Sequence, residues 1–406
     1  MTHVKTQSRQ LKRIFFISFV ALTFASSFSS VFYKHVLVDA DGKTDDHLLG
    51  WIFFIMPLVG IAANIPVGII ADKLHAGRRI IALFCFGLAF VSLLVGFAGS
   101  DWAMGIGLWP RFLYLFVALL FYNFFFQPIV PTIDAQTMIF LNEHGRREDY
   151  GSIRVYGTLG WTVASIAMGA VLFFVFHLPL IFYLSALMFA VLGVMTWRMI
   201  QARPTQGAIE IPWAHLRGDR VFMWFLVFSF LNGVVYSASF LFTGYLFDDV
   251  MQNPLELGWV LGTWTLFEIP ILFFSRRLLT TFGHRNLIMI SLLINGLRLV
   301  LFSFFTLETP FVWKWMIATL QGAAFGLSHL GTIDYVDRCS HPHMRNTYMN
   351  VINVARHTIA SSIGGKVGAL VVASYGASAL MQFCGIASVL LMGFFALFCW
   401  HDKETT

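Results

Sequence analysis

Apolar runs of around twenty residues alternate with short polar turns along the whole chain, and the alternation repeats twelve times. The runs cover roughly 14 to 34, 48 to 71, 80 to 99, 112 to 137, 152 to 176, 178 to 198, 221 to 247, 257 to 275, 286 to 306, 310 to 335, 349 to 373 and 377 to 400. A helix of about 20 apolar residues spans a hydrocarbon core of about 30 Å. The pattern predicts an all-α membrane protein of twelve transmembrane helices, and an even number puts both termini on one side.

The polar turns fix the orientation. Lys5, Arg9, Lys12 and Arg13 precede the first run, and Lys73, Arg78, Arg79, Arg146, Arg147, Arg276, Arg277, Arg285 and Arg338 fall in alternate turns. The opposite turns are acidic, as in Asp39, Asp41, Asp45 and Asp46. Cytoplasmic connections carry the excess of Lys and Arg, so both termini are expected in the cytoplasm. The longest inner connection holds Pro204, Gly207, Pro212 and Gly218 and follows six runs. It divides the chain into a bundle at 1–198, a linker at 199–220 and a second bundle at 221–406. Thr132, Ile133 and Asp134 recur as Thr332, Ile333 and Asp334, and the Gly77–Arg78 turn recurs as Gly283–His284–Arg285. Two pseudo-repeated halves are the architecture of many secondary transporters, with the solute site near the midplane.

Composition agrees: 58% of the 406 residues are hydrophobic and 12% charged, against about 25% charged in soluble domains. The net charge of +6 is spread over turns and does not form the basic face that nucleic acid requires. Cys85, Cys339, Cys384 and Cys399 show no metal-type spacing and read as buried free thiols. The basic N-terminus resembles that of a signal peptide, but the apolar run continues to Tyr33, as in a retained helix. No phosphate loop of the form GxxxxGK[ST] is present, so ATP drive within the chain is not expected, nor is a cofactor. His329, Cys339, His341 and His343 lack a convincing ligand spacing, and neither a metal site nor an enzyme is expected.

The turn GIIADKLHAGRR after the second run resembles the signature of the major facilitator superfamily, with His75 and Ala76 as two extra residues. In such a turn Gly68 allows close helix approach and Asp72 suits a helix N-terminus. Gly68, Asp72, Gly77, Arg78 and Arg79 are therefore expected to form a conformational latch. The alternative is a plain positive-inside turn.

The stretch DYGSIRVYGTLGW is similar to the proton-symporter branch of that superfamily, which includes phenylpropionate, nucleoside and lactose permeases. Carried over from the lactose permease pattern, Asp134, Arg154 and Trp161 become substrate residues, although the acid is Asp and its spacing is two residues longer. The phenylpropionate-type pattern fits Asp149 to Arg154 better, so the resemblance leaves the substrate class open. Asn123 and Gln127 precede Pro128 and Pro131 on the fourth run, and prolines there free carbonyls tolerable only in protein or beside water. Both polar residues are candidate substrate contacts. Asp134 lies about 33 Å down its helix, which leaves open a structural pair with Arg154 or a latch to Arg78.

Glu268 and Arg298 each fall about 18 Å into their helices, near the midplane. A lone charge there costs at least about 2.5 to 3.5 kcal/mol, so such groups pair or line a wet path. A carboxylate with a cationic neighbour can take and release a proton as the neighbour moves. Glu268 is a candidate coupling acid or a static partner of Arg298. The phenylpropionate type carries a Glu, an Arg and a His at the positions of Glu268, Arg298 and His329. Where lactose permease has a His and a Glu, this chain has Gln321 and Ala324, a departure from that pattern. Arg356 and Lys366 on the eleventh run would suit an anionic solute, unless Lys366 snorkels or Arg356 pairs with Asp334. Asn232, Tyr236 and Gln321 are further candidate substrate contacts, against packing as the plain reading for the aromatic residues.

Together these readings predict a monomeric inner-membrane transporter in a bacterium. It would import a small polar organic solute (an aromatic carboxylate, nucleoside or sugar-like compound) with protons by alternating access. Its partners would be that solute, protons and the lipid bilayer. A proton-driven exporter of amphipathic compounds is the alternative; the glycines without proline in VYGTLGWTVASIAMGAV favour import.

Overall fold

The computed structural model describes residues 2–39, 41–73, 77–146, 149–198, 220–340 and 345–400. Among them the regular structure is helical, apart from one isolated bridge between Val38 and Thr44. Ten helices are long and apolar enough to cross a bilayer. They are α1 (Gln7–Val36), α2 (Asp46–Lys73), α3 (Gly77–Phe97), α4 (Leu108–Glu143), α5 (Tyr150–Val175) and α6 (Leu180–Trp197), then α7 (Arg220–Met251), α8 (Pro254–Phe273), α9 (Ser275–Phe302) and α12 (Ala377–Phe398). Between the last two lie α10 (Phe311–Cys339) and α11, which runs through Arg345–Asn353, Val354–Ile359 and Ala360–Tyr375. At 1.5 Å per residue α10 is about 43 Å long, enough to cross, and its Lys314, Asp334, Asp337 and Arg338 are what lower its hydropathy. The twelve helices are the twelve spans that the hydropathy pattern predicts.

The chain forms two compact units, Met1–Gly207 with Asn253–Gly262, and Ala208–Gln252 with Thr263–Thr406. The N-terminal segment of α8 therefore groups with the first unit. There Trp161 donates to the Leu261 carbonyl at 2.9 Å and Thr162 to the Gly262 carbonyl at 2.9 Å.

Helices α4, α8 and α11 are interrupted where polar residues gather, as α1 is between Ser26 and Ser29. In α4 the helix breaks at Gln127 and Pro128, between Phe126 and Ile129, because proline lacks the N–H that the ladder needs. In α8 a tight 3-10 turn, Trp264–Phe267, precedes a fresh helix that begins at Glu268. In α11 the residues Val354–Ile359 form a π turn, a feature that recurs at functional sites. The four cysteines are buried and form no disulfide.

The second unit is closed at one end by an aromatic core. Phe225 stacks on Tyr335 at 4.0 Å, and Phe395 packs beside both. The Tyr335 hydroxyl donates to the Cys399 carbonyl at 3.0 Å, so this buried hydroxyl is satisfied, as burial requires.

Candidate functional site

In the second unit, polar residues stand on one face of each of three helices. Ser291, Asn295 and Arg298 are four and three residues apart on α9, and all are buried; residues three or four apart share a helix face. On α10 the buried Gln321, Ser328 and Thr332 follow the same period. Asn232 and Tyr236 are one turn apart on α7, and Arg356 is buried in the π turn of α11.

These faces meet around Tyr236. Its hydroxyl accepts from Gln321 Nε2 at 3.0 Å, and it lies within electrostatic reach of Arg298, Arg356 and Glu268. Arg356 donates through Nη2 to Ser328 at 3.1 Å and through Nη1 to Thr332 at 3.5 Å. Arg298 donates through Nη2 to Asn295 Oδ1 at 3.0 Å and stands 5.0 Å from the Phe302 ring. Asn295 in turn donates to Ser388 at 3.0 Å. These bonds leave Arg298 Nε and Nη1, Arg356 Nε and Gln321 Oε1 buried with no hydrogen-bond partner. The hydrogen bond of Arg298 thus runs to an amide rather than a carboxylate. Arg356 turns to hydroxyls, not to Asp334, whose carboxylate takes Arg338 at 2.8 Å and His284 at 3.1 Å.

A cavity of about 20 Å³ sits among Asn232, Tyr236, Ser291, Asn295, Ser328 and Arg356, enough for one water-sized group. An aromatic strip borders it. Trp264 stacks on Phe240 (5.7 Å), Phe240 on Tyr236 (5.7 Å), Tyr236 tilts against Phe325 (6.2 Å) and Phe325 stacks on His329 (5.8 Å, 7° between planes). His329 is exposed at the end of this strip. Backbone contact makes the cluster possible: a Cβ at Gly233 would lie 2.5 Å from the Arg356 carbonyl oxygen, and one at Gly364 2.5 Å from that of Val234. Gly322 does the same for α10 against the Trp264 carbonyl at the break in α8, and a Cβ at Gly326 would meet the side chains of Ile271 at 3.1 Å and Glu268 at 3.5 Å.

The first-unit candidates form a smaller group. Tyr150 donates to Asp134 Oδ1 at 2.8 Å, and Arg154 acts electrostatically on both. The Arg154 guanidinium lies 4.3 Å from the Phe19 ring, so a tyrosine hydroxyl stands in the place expected for a direct Asp134–Arg154 contact. Asn123 donates to the Leu119 carbonyl at 3.0 Å, Gln127 packs against Gly60, and Trp161 is held by Leu261. The structure gathers Asn232, Tyr236, Gln321, Arg298 and Arg356 in one cluster, with Glu268 and His329 at its edge, and does not gather Asn123, Gln127 and Trp161 with Asp134. Of the expected latch, Arg79 is exposed; the side chains of Gly68, Asp72, Gly77 and Arg78 lie outside the described residues. Sequence reasoning missed Ser291, Asn295, Ser328 and Phe325. The signal for the first two was present, since Ser291, Asn295 and Arg298 repeat at helical spacing within an apolar run. No group of three His, Cys, Asp or Glu among the described residues is placed to hold a metal ion.

Known proteins resemble this chain along its length. A maltose permease of Geobacillus stearothermophilus is 24% identical over 386 residues, which cover 91% of this chain and 90% of that protein. The nucleoside permease NupG of Escherichia coli (strain K12) is 22% identical over 397 residues, 90% of each chain. A crystal structure of the nucleoside transporter NupG superposes with a TM-score of 0.81 at 18% identity, covering 97% of this chain and 100% of that one. The model of the MFS_1 like family matches residues 9–383; the chain therefore belongs to that family of major facilitator transporters, as a multi-pass membrane transporter of small solutes and not an enzyme.

Proposed function

We propose that the protein imports a small polar organic solute together with protons, by alternating access across a bacterial inner membrane, with both termini in the cytoplasm. The observation that carries this reading is the Tyr236 cluster, where Glu268, Arg298 and Arg356 act on one buried hydroxyl. Buried ionisable groups in a membrane mark ion and solute pathways. Glu268 begins a helix after a break in α8, so its carboxyl is carried on a segment that can reorient without unwinding a continuous helix. Protonation of Glu268 removes the one carboxylate charge that acts on Tyr236 alongside the two guanidiniums and changes which arrangement of α8 and α10 is favoured. His329 and His357, both within reach of Arg356, are the other titratable groups around it. NupG and the maltose permease take neutral solutes by name, which supports a polar organic cargo. Asp134, Tyr150 and Arg154 contribute the polar group of the first half, and 199–220 serves as the linker between halves.

The test is solute-driven proton entry into vesicles that hold the purified protein and an internal pH dye. A panel of uridine, maltose and benzoate is applied with and without an imposed pH gradient. Import with protons predicts acidification with one of them and loss of gradient-driven accumulation in Glu268→Gln. Accumulation that ignores the gradient and survives this substitution overturns the coupling.

A further inference from the structure

The unsatisfied groups of the Tyr236 cluster are unequal in kind. Three are donors (Arg298 Nε, Arg298 Nη1 and Arg356 Nε) and one, Gln321 Oε1, is an acceptor. Both arginines are more than nine-tenths buried, at 2% and 7% exposure. A sugar or nucleoside presents hydroxyls and amides that donate as well as accept, whereas a carboxylate only accepts. Guanidinium groups also match carboxylates in shape and make stronger, charge-assisted bonds to them. The charge count points the same way, since two guanidiniums and one carboxyl act on Tyr236.

The cavity adds a size. At about 20 Å³ it admits one water-sized group, such as a single carboxylate oxygen, and not a whole solute, for which pockets of roughly 300 Å³ or more are usual. The remainder of the solute then lies along what borders the cavity. That border is aromatic: Phe325 lines it, tilts against Tyr236 and stacks on the exposed His329. Flat rings gain from offset stacking on such a strip.

We infer that the solute is an aromatic carboxylate, with one carboxylate oxygen in the cavity at Arg356, Arg298 supplying the second positive charge behind Asn295, and its ring along the strip from Tyr236 to His329. This deepens the import reading and gives its coupling a cause. Neutral Glu268 takes away the carboxylate charge that acts on Tyr236 beside the two guanidiniums, so proton and anion each tighten the binding of the other by the same factor.

Equilibrium binding to the purified wild-type protein in detergent, which needs neither transport nor a gradient, tests the inference. The probes are benzoate, benzamide, cyclohexanecarboxylate, uridine and maltose. Benzoate is expected to bind about 10- to 100-fold more tightly than benzamide, the loss of one charge-assisted contact, and a few-fold more tightly than cyclohexanecarboxylate. Arg356→Lys is expected to weaken benzoate by about 10-fold, and Glu268→Gln to remove the pH dependence of its binding. Equal binding of acid and amide, binding of uridine or maltose alone, or binding of none of the acids overturns the inference. Parity between benzoate and cyclohexanecarboxylate removes the ring. Proton-coupled import of a neutral solute would sink this inference and leave the proposed function standing. Benzoate binding without proton-coupled uptake would do the reverse.

Discussion

The two halves solve one problem alike and another differently. At the start of its fourth helix each half buries a cation and spends it on backbone carbonyls. Arg111 is 5% exposed and donates to the carbonyls of Val38 and of Met104; Lys314 is 2% exposed and donates to that of Val250 at 2.6 Å. Val250 lies in the last turn of α7 and Val38 just past the end of α1. Carbonyls at a helix end lack intrahelical partners and carry partial negative charge, so a buried cation there is both satisfied and useful. In their polar clusters the halves part: the first sets a carboxylate against the tyrosine that opens α5, whereas the second sets two guanidiniums among hydroxyls and amides. Symmetric staples hold the frame, and the asymmetric interiors hold the chemistry.

The largest effect that would break this contrast is expected at Glu268. Glu268→Gln should abolish uphill accumulation in vesicles while solute exchange at equal concentrations persists; Asp134→Asn should leave accumulation measurable. Equal loss in both would mean that the halves share the proton. Next is Gly233→Val, which drives a side chain into the Arg356 carbonyl. Overpacking of this kind costs about 1–3 kcal/mol, read as a lowered midpoint of thermal unfolding in detergent together with lost solute binding. An equivalent change at Gly151, which has open space around a Cβ, should leave that midpoint nearly in place.

The staples sharpen the comparison from the other side. Arg111→Met and Lys314→Met each leave buried carbonyls unsatisfied, at about 1–3 kcal/mol. The two unfolding midpoints should fall together, and a large fall in only one would show that the devices are not equivalent. The smallest effect is expected for Tyr150→Phe, which removes one hydrogen bond to Asp134, about 1 kcal/mol. Transport should persist, and a loss as complete as that of Glu268→Gln would move the coupling site into the first half.

Much of this was legible before any coordinates. Apolar runs as long as a bilayer is thick have one structural solution, so the helices followed from the pattern, including α10, whose charges sit near its ends. Pro128 announced the break in α4. The partners of the charged residues were harder to read. Pairing Asp334 with Arg356 joins two charges of one half, yet Arg338 stands one turn from Asp334, the spacing at which helix ion pairs form. Tyr150 was read as part of a motif and not as a donor, since linear sequence says nothing of which side chain stands between two others. The π turn left no trace either, for nothing in VARHTI distinguishes six residues that bond five apart from six that bond four apart. Glu268 and Arg298 read as two charges at one depth, whereas the hydrogen bond of Arg298 goes to Asn295, three residues earlier on the same helix, a partner that helical spacing also offers.

Arg356 is bound to three helices at once. Its carbonyl presses on Gly233 of α7, its head group holds Ser328 and Thr332 of α10, and its backbone forms the turn of α11. Helices pinned at one residue travel as a block, because slippage of any of them strands a buried guanidinium. Bending within this half is thereby displaced to α8, whose 3-10 turn at Trp264–Phe267 is the joint nearest the carboxyl of Glu268. The residue that fixes the anchor and the residue that rides the joint carry opposite charges, so the distance between them is a natural measure of where the transport cycle stands.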